Sequence, residues 1–224
     1  MRNLSHQEFK QLTQNASVLT DDEHGKKVLE LTDHSIIKLF RVKRFISQAT
    51  LYSPARRFAK NARKLKQLNI PTISLINLYK INSIKRTAVH YKQLKGITVR
   101  EYLQQNSADN EFLTQLGAFL AQLHNKGIFF RSAHFGNIIV TPDKQLGLID
   151  ISDMTISWFS LGYLKRIRNL RHIFRLPEDI HLIQHSQAIE KSYLQCSDIK
   201  SKLFEKQFLD TCNTLKNHNR EILY

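Results

Sequence analysis

The part of the sequence that most constrains the fold is the helical pattern beginning at Asn110. Apolar side chains recur there every three to four residues up to His124, which is the spacing of an amphipathic helix with one buried face. Lys126 and Gly127 follow, and a glycine at this point is typical of a helix C-cap. The residues predicted to share the buried face are Leu113, Leu116, Phe119, Leu120 and Leu123.

The segment after this helix predicts a small hairpin. A compact loop is expected over residues 128–137, followed by a short apolar run at Ile138–Val140. A turn at Pro142–Lys144 then leads into a second apolar strand, Leu146–Ile149. A long helix beside a short hairpin indicates a domain that mixes helix and strand.

The chain before Gly96 has a different pattern, dominated by strands. Ser53 and Pro54 suit the N-cap and the first position of the only helix predicted in this part, Pro54–Leu68. Helix is expected at Thr98–Gln105 and throughout residues 157–224. The sequence therefore predicts an α+β protein with two lobes: residues 1–94, β-rich with one helix, and residues 95–224, mostly helical. The strands predicted in the first lobe are Lys27–Thr32, Ser35–Phe40, Thr72–Leu78 and Arg86–Tyr91.

Charge is distributed unevenly between these lobes. The chain of 224 residues has a formal net charge of +15, and residues 1–94 hold 18 basic and 6 acidic side chains. Such an excess favours an anionic partner. With only Cys196 and Cys212, a disulfide framework is excluded and a reducing compartment is favoured. The polar first ten residues do not resemble a secretory signal, so a cytoplasmic location is expected.

Two segments carry the chemistry. They are Gly127-Ile-Phe-Phe-Arg-Ser-Ala-His-Phe-Gly-Asn-Ile-Ile-Val140 and Leu146-Gly-Leu-Ile-Asp150. Together they resemble the catalytic loop and the metal-binding strand of protein-kinase-like folds, whose patterns are H-R-D-x-x-x-x-N and D-F-G. Arg131 takes the position of the Arg, Asn137 that of the Asn, and Asp150 that of the first Asp in D-F-G.

The resemblance implies a protein-kinase-like fold that binds Mg²⁺ and ATP between its lobes. Asn137 and Asp150 would hold the metal, and Lys38 would bind the phosphates of ATP. Gly25 is the single candidate for a phosphate-covering loop. Two structural alternatives stay open, that Asp150 merely caps the next turn and that Lys38 faces solvent on an edge strand. The residues expected along the adenine are Tyr91, Gln93 and Leu94.

Among kinase-like families, the chain resembles the bacterial lipopolysaccharide-core kinases and their toluene-tolerance-type relatives. Besides the catalytic loop, the supporting segments are Leu123–Gly127, Lys64–Pro71 and Lys165–His172, and the resemblance spans about Leu29 to Arg175. It implies transfer of the γ-phosphate of ATP to a sugar hydroxyl of a cell-envelope glycolipid at the cytosolic face of the inner membrane. The implied partners are a nucleotide and an anionic glycolipid or membrane surface.

Two departures from the kinase pattern bear on activity. Ser132, which with Arg131 occupies the catalytic positions, stands where the pattern has the proton-accepting Asp, and a serine hydroxyl is no general base near neutral pH. The helix Pro54–Leu68 has no acidic residue to pair with Lys38, although Asn61 offers a hydrogen bond.

These departures leave three hypotheses. The first is an active kinase, and the second is a pseudokinase that binds nucleotide or an anionic partner as a scaffold. The third and least favoured is a nucleic-acid-binding module. An anionic glycolipid or membrane surface is the expected partner of the basic N-terminal lobe. A second basic cluster either faces water or binds such a glycolipid or lipid headgroups; it consists of Lys165, Arg166, Arg168, Arg171 and Arg175.

Overall fold

The protein has an α+β fold, as expected from the sequence. The computed structural model describes residues 1–23, 25–41, 53–106 and 109–221. The chain divides into two compact units, Met1–Leu94 and Lys95–Tyr224, which are described separately below.

A six-stranded sheet forms the framework of the N-terminal unit. Its strands are β1 (Arg2–Asn3), β2 (Ser17–Asp22), β3 (Gly25–Glu30), β4 (Ser35–Arg41), β5 (Ser74–Ile81) and β6 (Arg86–Lys92). They lie in the order β1-β5-β6-β4-β3-β2. β1 is parallel to β5, and the other neighbours are antiparallel.

Two helices accompany this sheet, one more than predicted. Helix α1 (His6–Leu12) begins with a capping box in which Ser5 and Glu8 bond reciprocally. Helix α2 (Pro54–Gln67) confirms the prediction, because Ser53 is its N-cap and Pro54 opens its first turn. α1, β1 and β2 were not predicted, and their weak signal has a physical reason. None of the three buries a residue, so little apolar periodicity marks them.

The four strands predicted in the N-terminal unit are present and surround its hydrophobic core. Leu29, Ile37, Ile81 and Ala88 are buried together, and partly buried Phe9 from α1 packs against them. The observed strands differ from the predicted limits by a few residues at most, as is usual for ends that fray.

The C-terminal unit is mainly helical and contains two small ladders of strands. Its helices are α3 (Val99–Gln105), α4 (Asn110–Asn125), α5 (Tyr163–Ile173), α6 (Pro177–His181), α7 (Ala188–Cys196) and α8 (Lys202–Glu221). Its strands are β7 (Ile97–Thr98), β8 (Ile128–Phe130), β9 (Ile138–Val140), β10 (Leu146–Leu148) and β11 (Met154–Ile156). One ladder has the order β10-β9-β7, and the other pairs β11 with β8.

Two expectations for this unit were wrong. Residues 128–130 form β8 rather than loop, because they pair with β11, whose residues lie far along the chain. Residues 157–221 are not continuously helical, since non-helical segments separate α5, α6, α7 and α8. Residues 222–224, which the same prediction covered, lie outside the described residues.

Helix α4 is the central support of the C-terminal unit. All five apolar residues predicted for its inner face are buried, and Gly127 has the positive φ (74°) of a glycine C-cap. Gly117 lets α7 approach closely, because a Cβ there would lie 2.3 Å from the carbonyl oxygen of Ile189. Within the described residues, no helix has both the length and the apolar character required to cross a bilayer.

Candidate functional site

The two strand ladders hold the two motif segments opposite each other. Phe130 on β8 pairs with Met154 on β11, and Ile138 on β9 pairs with Leu148 on β10. The intervening segments, 131–137 and 149–153, are therefore fixed at both ends and face each other. The structure thus brings together the part of the sequence that resembles a catalytic loop and the part that resembles a metal-binding strand.

Asn137 is held firmly by contacts inside this pair of segments. Its Nδ2 donates to the carbonyl oxygen of Ser132 at 2.9 Å and lies 3.1 Å from His134 Nε2. Its own carbonyl oxygen accepts from Ile149 N–H at 3.1 Å. The side-chain amide oxygen of Asn137 is the hard type of ligand that Mg²⁺ prefers.

Asp150 lies on the facing segment in a backbone conformation that is uncommon for a non-glycine residue. Its φ and ψ are both 48°, in the left-handed region, and it precedes a 3₁₀ turn at Ile151–Asp153. Its side chain makes no capping bond to that turn. The carboxylate is half-buried, and its role as a metal ligand stays a prediction. Ser152 Oγ is 3.4 Å from Asp150 Oδ1.

Ser132 contacts a carboxylate that the sequence analysis did not single out. Its Oγ donates to Asp153 Oδ2 at 2.8 Å. Asp153 Oδ1 is enclosed and has no hydrogen-bond partner among the described residues. The serine at the position of the catalytic Asp thus lies beside an Asp supplied from the facing segment. The available signal was a second acid three residues after Asp150.

A group of charged side chains lies near His172 on α5. Burial lowers the pKa of His172, and Arg131, Arg168 and Arg175 lower it further, whereas Asp153 raises it. These charges therefore lie within electrostatic range of one imidazole. Arg131 itself is exposed.

A buried carboxylate from α6 holds the backbone of the segment 131–137. Asp179 on α6 is fully buried, and it accepts from Phe135 N–H at 2.9 Å and from Arg100 Nε at 2.6 Å. Its hydrogen bond and charge raise the pKa of Arg100. Asp179 was not predicted as part of the site, because it lies far from the loop in sequence.

The backbone at Phe130, which stands at the position of the kinase His, is also tethered. Phe130 N–H donates to Asn169 Oδ1 at 3.1 Å, and Asn169 Nδ2 donates back to the Phe130 carbonyl oxygen at 2.6 Å. His124 Nε2 lies 3.1 Å from the same Asn169 oxygen.

The pKa of His134 is lowered by burial first and then by Arg175, so this loop histidine is neutral near pH 7.

In the N-terminal unit, Lys38 lies in the middle of the sheet. β4 has β3 on one side and β6 on the other, so the edge-strand alternative is wrong. Lys38 is 9% exposed, and its Nζ lies 5.9 Å from the ring centroids of Phe40 and Phe58. Tyr91 on β6 stacks obliquely on Phe58, with centroids 5.3 Å apart. Asn61 is buried on the inner face of α2.

The remaining candidates of this unit lie at its periphery. Gln93 and Leu94 follow β6, the first exposed and the second half-buried. Gly25 pairs with Asp22 at the tip of the β2–β3 hairpin and has a φ of 97°. His24, within the segment proposed as a phosphate loop, lies outside the described residues.

The C-terminal unit offers oxygen donors of the types that Mg²⁺ binds. Among the described residues, no three His, Cys, Asp or Glu side chains cluster as a self-sufficient metal site. Mg²⁺ usually keeps several waters and takes one or two protein carboxylates together with substrate phosphates. An amide oxygen from Asn137 and a carboxylate from Asp150 match that requirement.

Comparison with known proteins adds no family to this picture. The chain matches no protein-family model and no curated protein. The two facing segments, and the resemblance of their residues to kinase motifs, are therefore the features that bear on function.

Proposed function

We propose that this protein is an Mg²⁺- and ATP-dependent phosphotransferase of the protein-kinase-like class. The supporting observation is the hydrogen bond between Ser132 and Asp153, beside Asn137 and Asp150 on the same two segments. It supplies the carboxylate that the sequence lacks at position 132. An amide, two acids and a hydroxyl at facing loops form the donor set that phosphoryl transfer needs.

Asn137 and Asp150 would hold the metal. Bound there with ATP, Mg²⁺ offsets the negative charge of the phosphates. The chain's own contribution is to keep Asn137 in place before nucleotide arrives. The loop bonds of Asn137, and the Asp179 bonds that fix Phe135, do this at the level of side chain and backbone respectively.

Asp153 is assigned as the proton acceptor. In the transfer, the acceptor hydroxyl oxygen forms a bond to the γ-phosphorus of ATP while the bond from that phosphorus to the ADP oxygen breaks. The hydroxyl proton passes to the Asp153 carboxylate. Ser132 orients this carboxylate through Oδ2. A carboxylate has the basicity for this step, and a serine hydroxyl does not.

The acceptor in this proposal is a sugar hydroxyl of an anionic cell-envelope glycolipid of the lipopolysaccharide-core type. The arginines near His172, namely Arg131, Arg168 and Arg175, support an acceptor that carries phosphate or carboxylate. Lys38 as the phosphate-binding lysine, and Tyr91, Gln93 and Leu94 as adenine contacts, stay predictions for the N-terminal unit.

Calorimetric titration of ATP into the purified protein, with and without Mg²⁺, tests the proposal. Asp150→Ala is expected to abolish Mg²⁺-dependent affinity, because it removes the only carboxylate assigned to the metal. The matched control is Asp210→Ala on the exposed side of α8, which should bind as the wild type does. Lys38→Ala is expected to weaken binding as well. Equal affinity in wild type and Asp150→Ala would refute the metal assignment.

The pseudokinase remains the second candidate, since Ser132 itself accepts no proton. Asp153→Asn separates the two. An active enzyme loses phosphotransfer to a lipopolysaccharide-core acceptor by roughly a hundredfold or more while it still binds Mg-ATP, because a general base contributes on that order. A pseudokinase binds Mg-ATP equally well in both forms and transfers phosphate in neither.

A further inference from the structure

Among the described residues, the large apolar side chains with the highest exposed fractions lie within one short segment. Trp158 is 90% exposed, Phe159 is 84% exposed, and Leu164 at the start of α5 is 77% exposed. Single exposed apolar residues are common on protein surfaces. Two large aromatic rings and a leucine within seven residues of sequence, all almost fully in water, instead indicate an interaction site.

The loop that carries these side chains is anchored on both flanks. Ser157 N–H donates to the carbonyl oxygen of Gly127 at 3.0 Å, and Leu161 N–H donates to that of His124 at 2.8 Å. Gly127 is required for this close approach, because a Cβ there would lie 2.4 Å from the carbonyl oxygen of Phe159. The backbone is thus tied to the end of α4 while the two rings point to solvent.

Helix α5, which follows this loop, has two contrasting faces. The inner face is buried and consists of Arg166, Asn169, Leu170 and Ile173. The outer face carries exposed Leu164, Lys165, Arg168 and Arg171, and helical spacing places Leu164, Arg168 and Arg171 in one row. The helix contains no acidic residue.

One member of the predicted basic cluster does not belong to this surface. Arg166 is fully buried, and it donates to the Leu161 carbonyl oxygen at 2.7 Å and to Ser197 Oγ at 3.0 Å, besides forming an ion pair with Asp198. The exposed charges are therefore confined to the outer face, directly beside the aromatic loop.

We propose that this aromatic–basic surface docks the protein on an anionic lipid bilayer. The surface consists of Trp158, Phe159, Leu164, Lys165, Arg168 and Arg171. Tryptophan and phenylalanine side chains beside a cationic helix face match the boundary between acyl chains and negatively charged headgroups. The whole chain has a formal net charge of +15, which favours its attraction to anionic headgroups. This inference goes beyond phosphotransfer and does not depend on it.

Intrinsic fluorescence provides a direct test, because Trp158 is the only tryptophan of the chain. Vesicles of phosphatidylcholine mixed equally with phosphatidylglycerol are expected to shift its emission to shorter wavelength as the indole leaves water. Vesicles of phosphatidylcholine alone should cause a much smaller shift. Co-sedimentation with the same vesicles measures the partition coefficient.

The double variant Phe159→Ser/Leu164→Ser keeps the reporter and removes two apolar contacts. We expect its partition coefficient to fall by roughly tenfold or more, from the apolar area lost. Leu19→Ser is the matched control, since Leu19 is 50% exposed on β2 of the N-terminal unit. It should bind as the wild type does, and circular dichroism should show that all forms are folded.

Charge is tested separately by Arg168→Gln/Arg171→Gln. The expected loss is about fivefold per arginine on anionic vesicles and little on zwitterionic ones. Absence of binding to anionic vesicles would overturn the proposal. So would co-sedimentation without a change in Trp158 emission, which would place the lipid contact elsewhere, and so would an emission shift that only a nucleic acid produces.

Discussion

Helices α2 and α5 share a sequence signature and are used differently. Neither contains an acidic residue, and both are rich in lysine and arginine. On α2 the inner face is mostly Ala, Phe and Leu, so the cations remain outside. On α5 the inner face includes Arg166 and Asn169, which bond to other elements of the C-terminal unit, while Leu164 is left in water. A basic helix therefore does not by itself predict which of its charges meet solvent.

Replacing one arginine on each helix should give the largest contrast. Arg166→Met is expected to lower the free energy of unfolding of the C-terminal unit by about 3–5 kcal/mol, because it leaves buried acceptors and Asp198 unpaired. Arg63→Met, on the exposed side of α2, should change stability by less than about 0.5 kcal/mol. Denaturant unfolding followed by circular dichroism measures both. Similar losses in the two variants would contradict the contrast between the helices.

The buried polar face of α5 also predicts sensitivity to acid. Burial lowers the pKa of His124 from 6.5 to about 3, although its bond to Asn169 on α5 opposes that shift. Because the folded-state pKa is depressed, the unfolded chain binds the proton first as the pH falls. Stability is thus complete above about pH 6.5 and declines below it, until the folded state also protonates near pH 3.

The expected slope from this one group is at most about 1.4 kcal/mol per pH unit within that window. Denaturant midpoints measured from neutral pH down to pH 4 test the sign. His124→Asn, which has no group that titrates there, should flatten the dependence even though it starts from a lower stability. An unchanged slope in this variant would assign the acid sensitivity to other groups.

The helix starts provide the smallest and finest contrast. Ser53 caps α2 by accepting from Arg56 N–H at 3.3 Å, whereas Gly162 at the start of α5 offers no side-chain cap. Ser53→Ala should therefore cost about 1 kcal/mol. Gly162→Ser should add a few tenths of a kcal/mol, since its extended φ and ψ suit serine and a Cβ there meets nothing within 4 Å. Thermal unfolding resolves both if each variant is compared with wild type at one pH.

Much of the local structure was predictable, and the candidate site only in part. The start of α2 at Ser53–Pro54, the glycine end of α4 and the hairpin formed by β9 and β10 follow from neighbouring residues. Asn137 and Asp150 were also predicted as site residues, from the resemblance of their segments to kinase motifs. Asp153 was not, because nothing local to it shows that Ser132 will be its partner.

What the sequence by itself determined is the sequence-local part of this protein. It set the periods of helix and strand, the caps, the acid-free helices and the order of the motif residues, since each depends on side chains a few positions apart. Only the tertiary structure decided that Arg166 is buried while Arg168 is exposed, that Asp179 anchors Phe135, and that Asp153 meets Ser132. Each of those outcomes depends on contacts between residues that are distant along the chain, and burial and hydrogen bonding there are set by the fold as a whole.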